Sequence, residues 1–270
     1  MKFSYKMIAF AVAGLAVAIP VVMASPAFSR NPDAASSPAE AAIVHNVNSG
    51  EAQKAGKDQD QKPEPGHGAE AVVVSDKTIH DTTDLYTADL SIPVIAGMAD
   101  ERYQAQLNAE LEKKTMEDFK LLKKQAEEGS ADAAAGGYTF HPYEMKLDYT
   151  LKSDGGAAAG GKLSLTVQTY LYSGGAHGGT RVDTYNVRND VKAEPLTLEK
   201  VLGSRFKELG EGALKQALAE DPERFNATDV ENFELTDDHT FYLADGKVYL
   251  LFQEYEVAPY AGGIIDVQVK

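Results

Sequence analysis

The stretch LYSGGAHGGTR, from Leu171 to Arg181, holds residue types whose spacing could do chemistry. Ser173 and His177, followed closely by Asp183, are the three residue types of a hydrolytic triad. The histidine could also ligate a metal, and a glycine-rich loop could cradle a phosphate. The same residues could equally reverse the chain between two strands.

The sequence around this motif gives little support to its chemical alternatives. The motif precedes a strand, whereas a phosphate loop should open a helix, and no P-loop or dinucleotide fingerprint occurs. Side-chain alternation along a single hairpin would separate the three triad residues. The histidines elsewhere in the ordered part are scattered and show no ligand spacing. We therefore expect no metal, no cofactor and no catalytic residue, and a His177 that orients the turn by hydrogen bonding.

Two loops that carry tyrosines are the candidate binding site. Tyrosines beside glycine-rich turns can stack on sugar rings or anchor a protein partner, although they also occur half-buried in cores. The candidate binding residues are Tyr172, Ser173, His177, Tyr255 and Tyr260. The glycines expected to form the turn, by permitting positive φ, are Gly174, Gly175, Gly178 and Gly179. A shared site requires that the two loops face the same surface.

Composition limits the compartment and the partners of the chain. None of the 270 residues is cysteine, which excludes disulfides, thiol catalysis and thiolate zinc sites. The formal net charge of −15 disfavours nucleic acid and anionic membranes and favours cationic partners. The same acidity could serve only to keep a secreted protein soluble.

The chain is predicted to contain three regions. Residues 1–29 resemble an export signal, with two lysines before an apolar run at residues 7–24, and are either a cleaved signal peptide or a membrane anchor. Residues 30–83 are polar and rich in Ala, Ser, Pro and Gly, which predicts a disordered tether. Residues 84–270 are predicted to fold, with sub-parts at about 84–190 and 191–270. The folded part is thus expected to lie outside the cytoplasm, in the periplasm or secreted.

Apolar periodicity predicts an α+β fold with antiparallel sheets packed against two main helices. A strand from Asp84 should close at Pro93, and a long amphipathic helix should follow and end before Gly129. Alternating strands, with one face packed and the other in water, come next. A second helix, with Ser204 as its cap, and a hairpin turning at Asp245-Gly246 complete the pattern.

The two loops and their flanks resemble a known family. The segments YSGGAHGGTRVDTYNV, PLTLEKVL and FYLADGKVYLLFQEYEVAPYAGGIIDVQV resemble the extracytoplasmic domain of RsiV-type anti-sigma factors, also found as the N-terminal part of PdaC-type peptidoglycan deacetylases. DLSIPVIAG followed by QAQLNAELEKK is similar to the start of that domain. The resemblance implies a two-part α+β domain, of a family of largely unknown function, without catalytic residues. In the anti-sigma proteins this domain binds lysozyme, and in the deacetylases it stands beside the enzyme.

We expect this domain to stand alone, without a sigma-binding or a deacetylase domain. The sequence is therefore interpreted as a non-catalytic binding or sensor-like protein of the cell envelope, with a lysozyme-like cationic protein or peptidoglycan as its partner. A glycan-acting envelope enzyme, with Asp or Glu as acid and base, is one alternative, and a structural envelope protein is another.

Overall fold

Alternating apolar residues build the larger of two sheets in the computed structural model, which describes residues 70–270. Six strands lie in the order β1 to β6. Their bounds are β1 (Val73–Thr82), β2 (Tyr86–Ala96), β3 (Tyr143–Asp154), β4 (Lys162–Tyr172), β5 (Gly179–Arg188) and β6 (Glu194–Pro195). All neighbours are antiparallel except β2 and β3, which are parallel because the helix α1 (Glu101–Gly136) connects them as a crossover.

Strand β1 corrects the predicted boundary between tether and fold. Residues 73–82, assigned to the tether, pair with β2 along their whole length. Most side chains of β1 are exposed and polar, and composition therefore missed an edge strand that is held mainly by backbone hydrogen bonds. The export signal and the rest of the tether lie outside the described residues. Strand β6, assigned to the second sub-part, pairs with β5 in the first sheet.

Helix α1 covers one face of the first sheet. It begins at Asp100, whose carboxylate accepts hydrogen bonds from the amides of Arg102 and Tyr103. It buries an apolar stripe against β2 and β3 and ends at Gly137, a residue in the left-handed region. Gly129 was expected beyond its end but lies inside it. A Cβ there would sit 2.5 Å from the Tyr143 hydroxyl oxygen, so close packing explains this glycine.

Strand β2 also differs from its prediction, since it continues through Pro93 to Ala96. Pairing with β3 ends at Leu90, so Pro93 lies in the half of β2 that has β1 as its single partner strand. One side of the strand has no ladder hydrogen bonds there, and a residue without an N–H is tolerated.

The second sheet is smaller and has its own core. Strands β7 (Phe241–Ala244), β8 (Lys247–Phe252) and β9 (Ile265–Val269) are antiparallel. They pack with the helices α2 (Leu198–Leu202), α3 (Phe206–Glu220) and α4 (Ala227–Glu231). Asp245 and Gly246 form the predicted two-residue turn, both with positive φ. Helix α3 starts after Arg205 without a side-chain cap, so the predicted Ser204 cap is wrong.

The face of the first sheet that was expected to meet water is partly covered by the second sheet. Ser164 and Asn186 are buried on this face, and the Ser164 hydroxyl donates to Asn186 Oδ1 at 2.6 Å. The Leu243 amide donates to Ser164 Oγ at 2.9 Å, and Asn186 Nδ2 donates to the Phe241 carbonyl at 2.6 Å. These polar side chains face β7 and satisfy its backbone.

The α+β prediction is confirmed, with two main helices and two sheets. Within residues 70–270, no helix combines the length and the apolar character needed to cross a membrane.

Candidate functional site

The two tyrosine-bearing loops meet at one surface. The His177 ring, in the connection between β4 and β5, stacks on the Tyr260 ring with centroids 3.9 Å apart. The Tyr260 hydroxyl donates to the Gly178 carbonyl at 3.0 Å. Tyr255, in the same loop as Tyr260, stacks on the Tyr260 ring with centroids 5.7 Å apart. We call His177, Tyr255 and Tyr260 the aromatic cluster.

Tyr255 is held in a conformation that tyrosine rarely adopts. Its φ is +67°, in the left-handed region, and the residue is 60% exposed. A bulky residue there is an outlier, and such strain costs about 1–3 kcal/mol. Left-handed non-glycine residues of this kind concentrate at binding and active sites. Backbone strain and exposure therefore coincide at the outer ring of the aromatic cluster.

His177 also contacts the backbone of its own loop. Its Nδ1 lies 2.9 Å from the Gly178 carbonyl oxygen, which can only accept, so Nδ1 is the donor of this hydrogen bond. This is the hydrogen bond expected of a histidine that orients the turn.

The four glycines of the motif differ in their roles. Gly174 alone among them has positive φ, at +80°. Gly178 is required for a different reason, because a Cβ there would lie 2.5 Å from the Tyr170 ring. A Cβ at Gly175 would meet only the His177 carbonyl oxygen, at an ordinary contact distance of 3.9 Å, and Gly179 is the first residue of β5 rather than part of the turn. The expectation that these glycines serve positive φ is correct for one position.

Two of the candidate residues lie outside the aromatic cluster. Tyr172 closes β4 opposite Glu144, and Ser173 is an exposed loop residue. Tyr170, two residues earlier on the same strand, is the tyrosine that packs beneath Gly178. The sequence placed both tyrosines beside the loop, but only the fold distinguishes the one that supports it.

Gln253 fastens the second loop to the free edge of β5. Its side-chain Oε1 accepts from the Val182 amide at 3.0 Å, and its Nε2 donates to the Val182 carbonyl at 2.8 Å. The amide group thus takes the place of a neighbouring strand. The Gln253 backbone N–H in turn donates to Glu256 Oε2 at 2.8 Å.

A buried histidine lies beneath this loop. His239 packs between the Phe233 and Phe252 rings, and its Nδ1 is 3.6 Å from Glu256 Oε1. Burial lowers the pKa of His239 to about 4, and burial also raises the pKa of Glu256, offset in part by the Gln253 N–H. Both shifts disfavour the charged forms, so burial opposes an ion pair between His239 and Glu256.

Charged residues near the motif form an ion-pair network with helix α1. Asp183 accepts from Lys114 Nζ at 2.7 Å and from Arg181 Nε at 3.0 Å, and Arg181 also binds Asp118. These contacts tie β5 to α1. Asp183 is therefore engaged in a structural ion-pair network and not with His177. In the part of the chain that the structure describes, no three His, Asp or Glu side chains gather as metal ligands.

A cleft between the two sheets was missed by sequence reasoning. It has a volume of about 300 Å³ and lies between β3 and β4 on one side and the second sheet on the other. Its polar lining includes Asp148, Lys152, Gln168, Tyr242 and Asp266. Asp148, Thr150 and Lys152 fall at alternating positions of β3, but the cleft that they line is closed by a second sheet about 90 residues away in the chain.

Comparisons with known proteins agree with the two-part architecture. Residues 79–180 match the family profile described as Deacetylase PdaC, and residues 199–270 match the one described as Protein of unknown function (DUF3298). The predicted resemblance to PdaC-type proteins is confirmed. No curated protein matches this chain.

Two solved structures are similar to this chain. A crystal structure of a DUF3298 family member from Bacteroides fragilis NCTC 9343 has 16% identity and a TM-score of 0.55, and the alignment covers 75% of this chain and 91% of that one. A DUF3298 family protein from Pseudomonas aeruginosa PAO1 has 15% identity and a TM-score of 0.43, with 73% and 88% covered. The likeness to the first concerns the fold alone.

Proposed function

We propose that this chain, in which a PdaC-like region precedes a DUF3298 region, is a non-catalytic binding protein of the cell envelope. It acts outside the cytoplasm, the location typical of PdaC-type domains, and it recognises a cationic protein of the lysozyme type through the aromatic cluster. The observation that carries the proposal is the exposed, left-handed Tyr255 stacked on Tyr260 and His177.

The chemistry of the cluster favours a cationic partner. An exposed tyrosine ring attracts a lysine or arginine side chain placed over its face, worth about 0.5–1 kcal/mol at an exposed site. Glu254 precedes Tyr255 and lies close to Gly179, at the base of the motif loop. A carboxylate beside an aromatic ring suits a guanidinium, which can stack on the ring and donate hydrogen bonds to the carboxylate at the same time. The net charge of −15 would also speed the encounter with a basic protein.

Rigidity supports the same proposal. Tyr260 is fixed by its hydrogen bond to Gly178, and the loop is fixed by the Gln253 side chain on β5. A ring that is already ordered loses little conformational entropy on binding. Aromatic residues in such positions are frequent binding hot spots.

Peptidoglycan is the second candidate partner, because a sugar ring can stack on the same exposed tyrosine face. A glycan would use the ring but would gain little from the acidic surroundings. Salt therefore separates the two partners: binding of a cationic protein weakens as ionic strength rises, whereas stacking of a neutral sugar does not.

The test is isothermal titration of the full chain with lysozyme and, separately, with soluble muropeptides. We expect saturable binding of lysozyme that weakens with added salt. Tyr255→Ala is expected to weaken it by at least about tenfold, the effect of a hot-spot residue. The control is Val191→Ala, an exposed apolar residue beyond the opposite end of β5, which should bind as the wild type does.

The proposal is overturned if neither lysozyme nor the muropeptides bind. It is also overturned if Tyr255→Ala leaves the binding unchanged. Binding of muropeptides alone replaces the protein partner with the glycan. Release of product from labelled peptidoglycan would contradict the non-catalytic assignment.

A further inference from the structure

We propose that the cleft between the two sheets binds a short peptide with free termini, its ammonium group at Asp148 and its carboxylate at Lys152. This site is separate from the aromatic cluster and shares no residue with it. Its volume of about 300 Å³ is at the lower end of the range of small-ligand pockets. The inference does not depend on the proposed function.

Lys152 is placed in the cleft by a β-bulge. The register of β3 against β4 shifts between Leu151 and Ser153, so Lys152 has no cross-strand partner. Bulges redirect a side chain and are frequent beside functional sites. The Lys152 ammonium lies over the Tyr242 ring, 4.8 Å from its centroid. Within residues 70–270 no carboxylate lies within 4.0 Å of that ammonium, so its charge is not neutralised by an ion pair.

The Tyr242 ring is held in position from two directions. It stacks on the Tyr249 ring at 4.8 Å and nearly parallel, and its hydroxyl donates to Asp266. Burial and this carboxylate raise the pKa of Tyr242, which therefore stays protonated. Lys152 thus rests on a fixed, buried surface, and a carboxylate ligand would meet an oriented cation there.

The opposite end of the cleft carries a negative charge. Asp148 is exposed, and one of its carboxylate oxygens accepts the amide of Tyr149 at 2.8 Å. The other oxygen is available to an ammonium group. Asp266 adds a second carboxylate to the lining, but the Tyr242 hydroxyl already donates to it. Asp266 lies beside Tyr242, on whose ring Lys152 rests, so Asp148 is the carboxylate of the lining that the Tyr242 hydroxyl leaves free, four residues from Lys152 on β3.

The floor between these ends matches an extended peptide in length and in polarity. Asp148 and Lys152 are four residues apart on one strand, at most about 13 Å between Cα atoms. Two or three extended residues span about 7–10 Å, which leaves room for the two charged side chains to reach the termini. Thr150 and Thr166 face each other across the ladder, and Gln168 faces Asp148, which supplies donors and acceptors for peptide groups.

The experiment is titration of the full chain with tri-alanine, followed by isothermal calorimetry or by amide shifts in NMR. We expect saturable binding by tri-alanine with free termini. N-acetylated tri-alanine and tri-alanine amide should each bind at least about tenfold more weakly, because each lacks one charged terminus. Lys152→Met and Asp148→Asn should produce losses of the same size.

Charge-matched controls are Lys207→Met on α3 and Asp190→Asn after β5, both exposed and outside the cleft lining. They should bind tri-alanine as the wild type does. The proposal is overturned if tri-alanine shows no saturation up to about 10 mM, a weak limit for a ligand of this size. It is also overturned if the blocked peptides or the cleft variants bind equally well. Tyr255→Ala should leave tri-alanine binding unchanged, so failure here is distinct from failure at the aromatic cluster.

Discussion

The seam between the two sheets offers the sharpest test of what holds this fold together. Ser164 is completely buried, and its hydroxyl makes two hydrogen bonds, one to Asn186 Oδ1 at 2.6 Å and one from the Leu243 amide at 2.9 Å. Ser164→Ala removes both and leaves the two partner groups in place. A buried donor and a buried acceptor then lack partners.

The size of the effect follows from these two groups. Each buried polar group left without a partner costs about 1–3 kcal/mol. The space vacated by one oxygen atom is too small for a water molecule to refill. We therefore expect a loss of about 3 kcal/mol in the free energy of unfolding, which for a domain of this size lowers Tm by about 6–12 °C.

Thr166→Ala is the matched control. Thr166 lies on the same strand and face and is also buried, but its hydroxyl is 3.4 Å from the Thr150 carbonyl. That distance is beyond the usual O–H···O range, and the site borders the cleft, where water can reach the carbonyl. The loss from the missing hydrogen bond should stay below about 1 kcal/mol.

Equilibrium urea unfolding of the full chain, followed by far-UV circular dichroism and by tyrosine fluorescence, measures both variants. The chain has 13 tyrosines and no tryptophan, so tyrosine is the natural fluorescent probe. The slope of free energy against urea should not change. Equal stabilities of the two variants would refute the assignment of Ser164 as the polar link between the sheets.

Three further predictions follow from buried and crowded positions. Burial lowers the pKa of His239 to about 4, so below pH 6.5 the unfolded chain binds a proton at His239 that the folded chain does not. The contribution of His239 to stability therefore falls as the pH falls. Between pH 7 and pH 5 this contribution decreases by about 2 kcal/mol. Urea unfolding at both pH values should therefore show that His239→Phe loses about 2 kcal/mol less free energy of unfolding than the wild type does. An unchanged pH dependence in the variant would contradict the burial of a neutral His239. On helix α3, a Cβ at Gly212 meets open space, so Gly212→Ala should raise the free energy of unfolding by about 0.5–1 kcal/mol. A Cβ at Gly210 would lie 2.3 Å from a side-chain carbon, so Gly210→Ala should lower the free energy of unfolding by about 1–3 kcal/mol. Thermal melts that rank the two variants in the other order would refute the packing of α3. Gly178→Ala would place its Cβ 2.5 Å from the ring beneath and should displace the motif loop, seen as changed near-UV circular dichroism and loss of lysozyme binding, while Gly175→Ala in the same loop should change neither.

Local patterns were sufficient for the elements whose determinants are close in the chain. The apolar stripe of α1, the alternation along β3 to β5 and the Asp245-Gly246 turn all depend on residues within one element. Periodicity and turn chemistry are properties of short segments, so they can be read before the fold is known. The α+β class follows from the order of those elements.

The errors arose where a residue's environment depends on a distant partner. Strand β1 is polar, and its order comes from pairing with β2 rather than from its own burial. A glycine such as Gly129 is typical of a helix end, but Gly129 lies inside α1, where the Tyr143 hydroxyl packs against it and leaves no room for a Cβ. Ser164 has the pattern of a solvent-facing residue, yet it meets Leu243, 79 positions away.

The candidate site divides in the same way. The sequence by itself determined that two glycine-bearing loops carry tyrosines and a histidine, and that the chain is acidic and without cysteine. Only the tertiary structure decided that His177 stacks on Tyr260, that Tyr170 is the ring packed against Gly178, and that a bulge directs Lys152 into a cleft. The physical reason is that stacking, burial and charge pairing act between surfaces. The packing of the two sheets settles which surfaces meet. No single segment of the sequence contains that information.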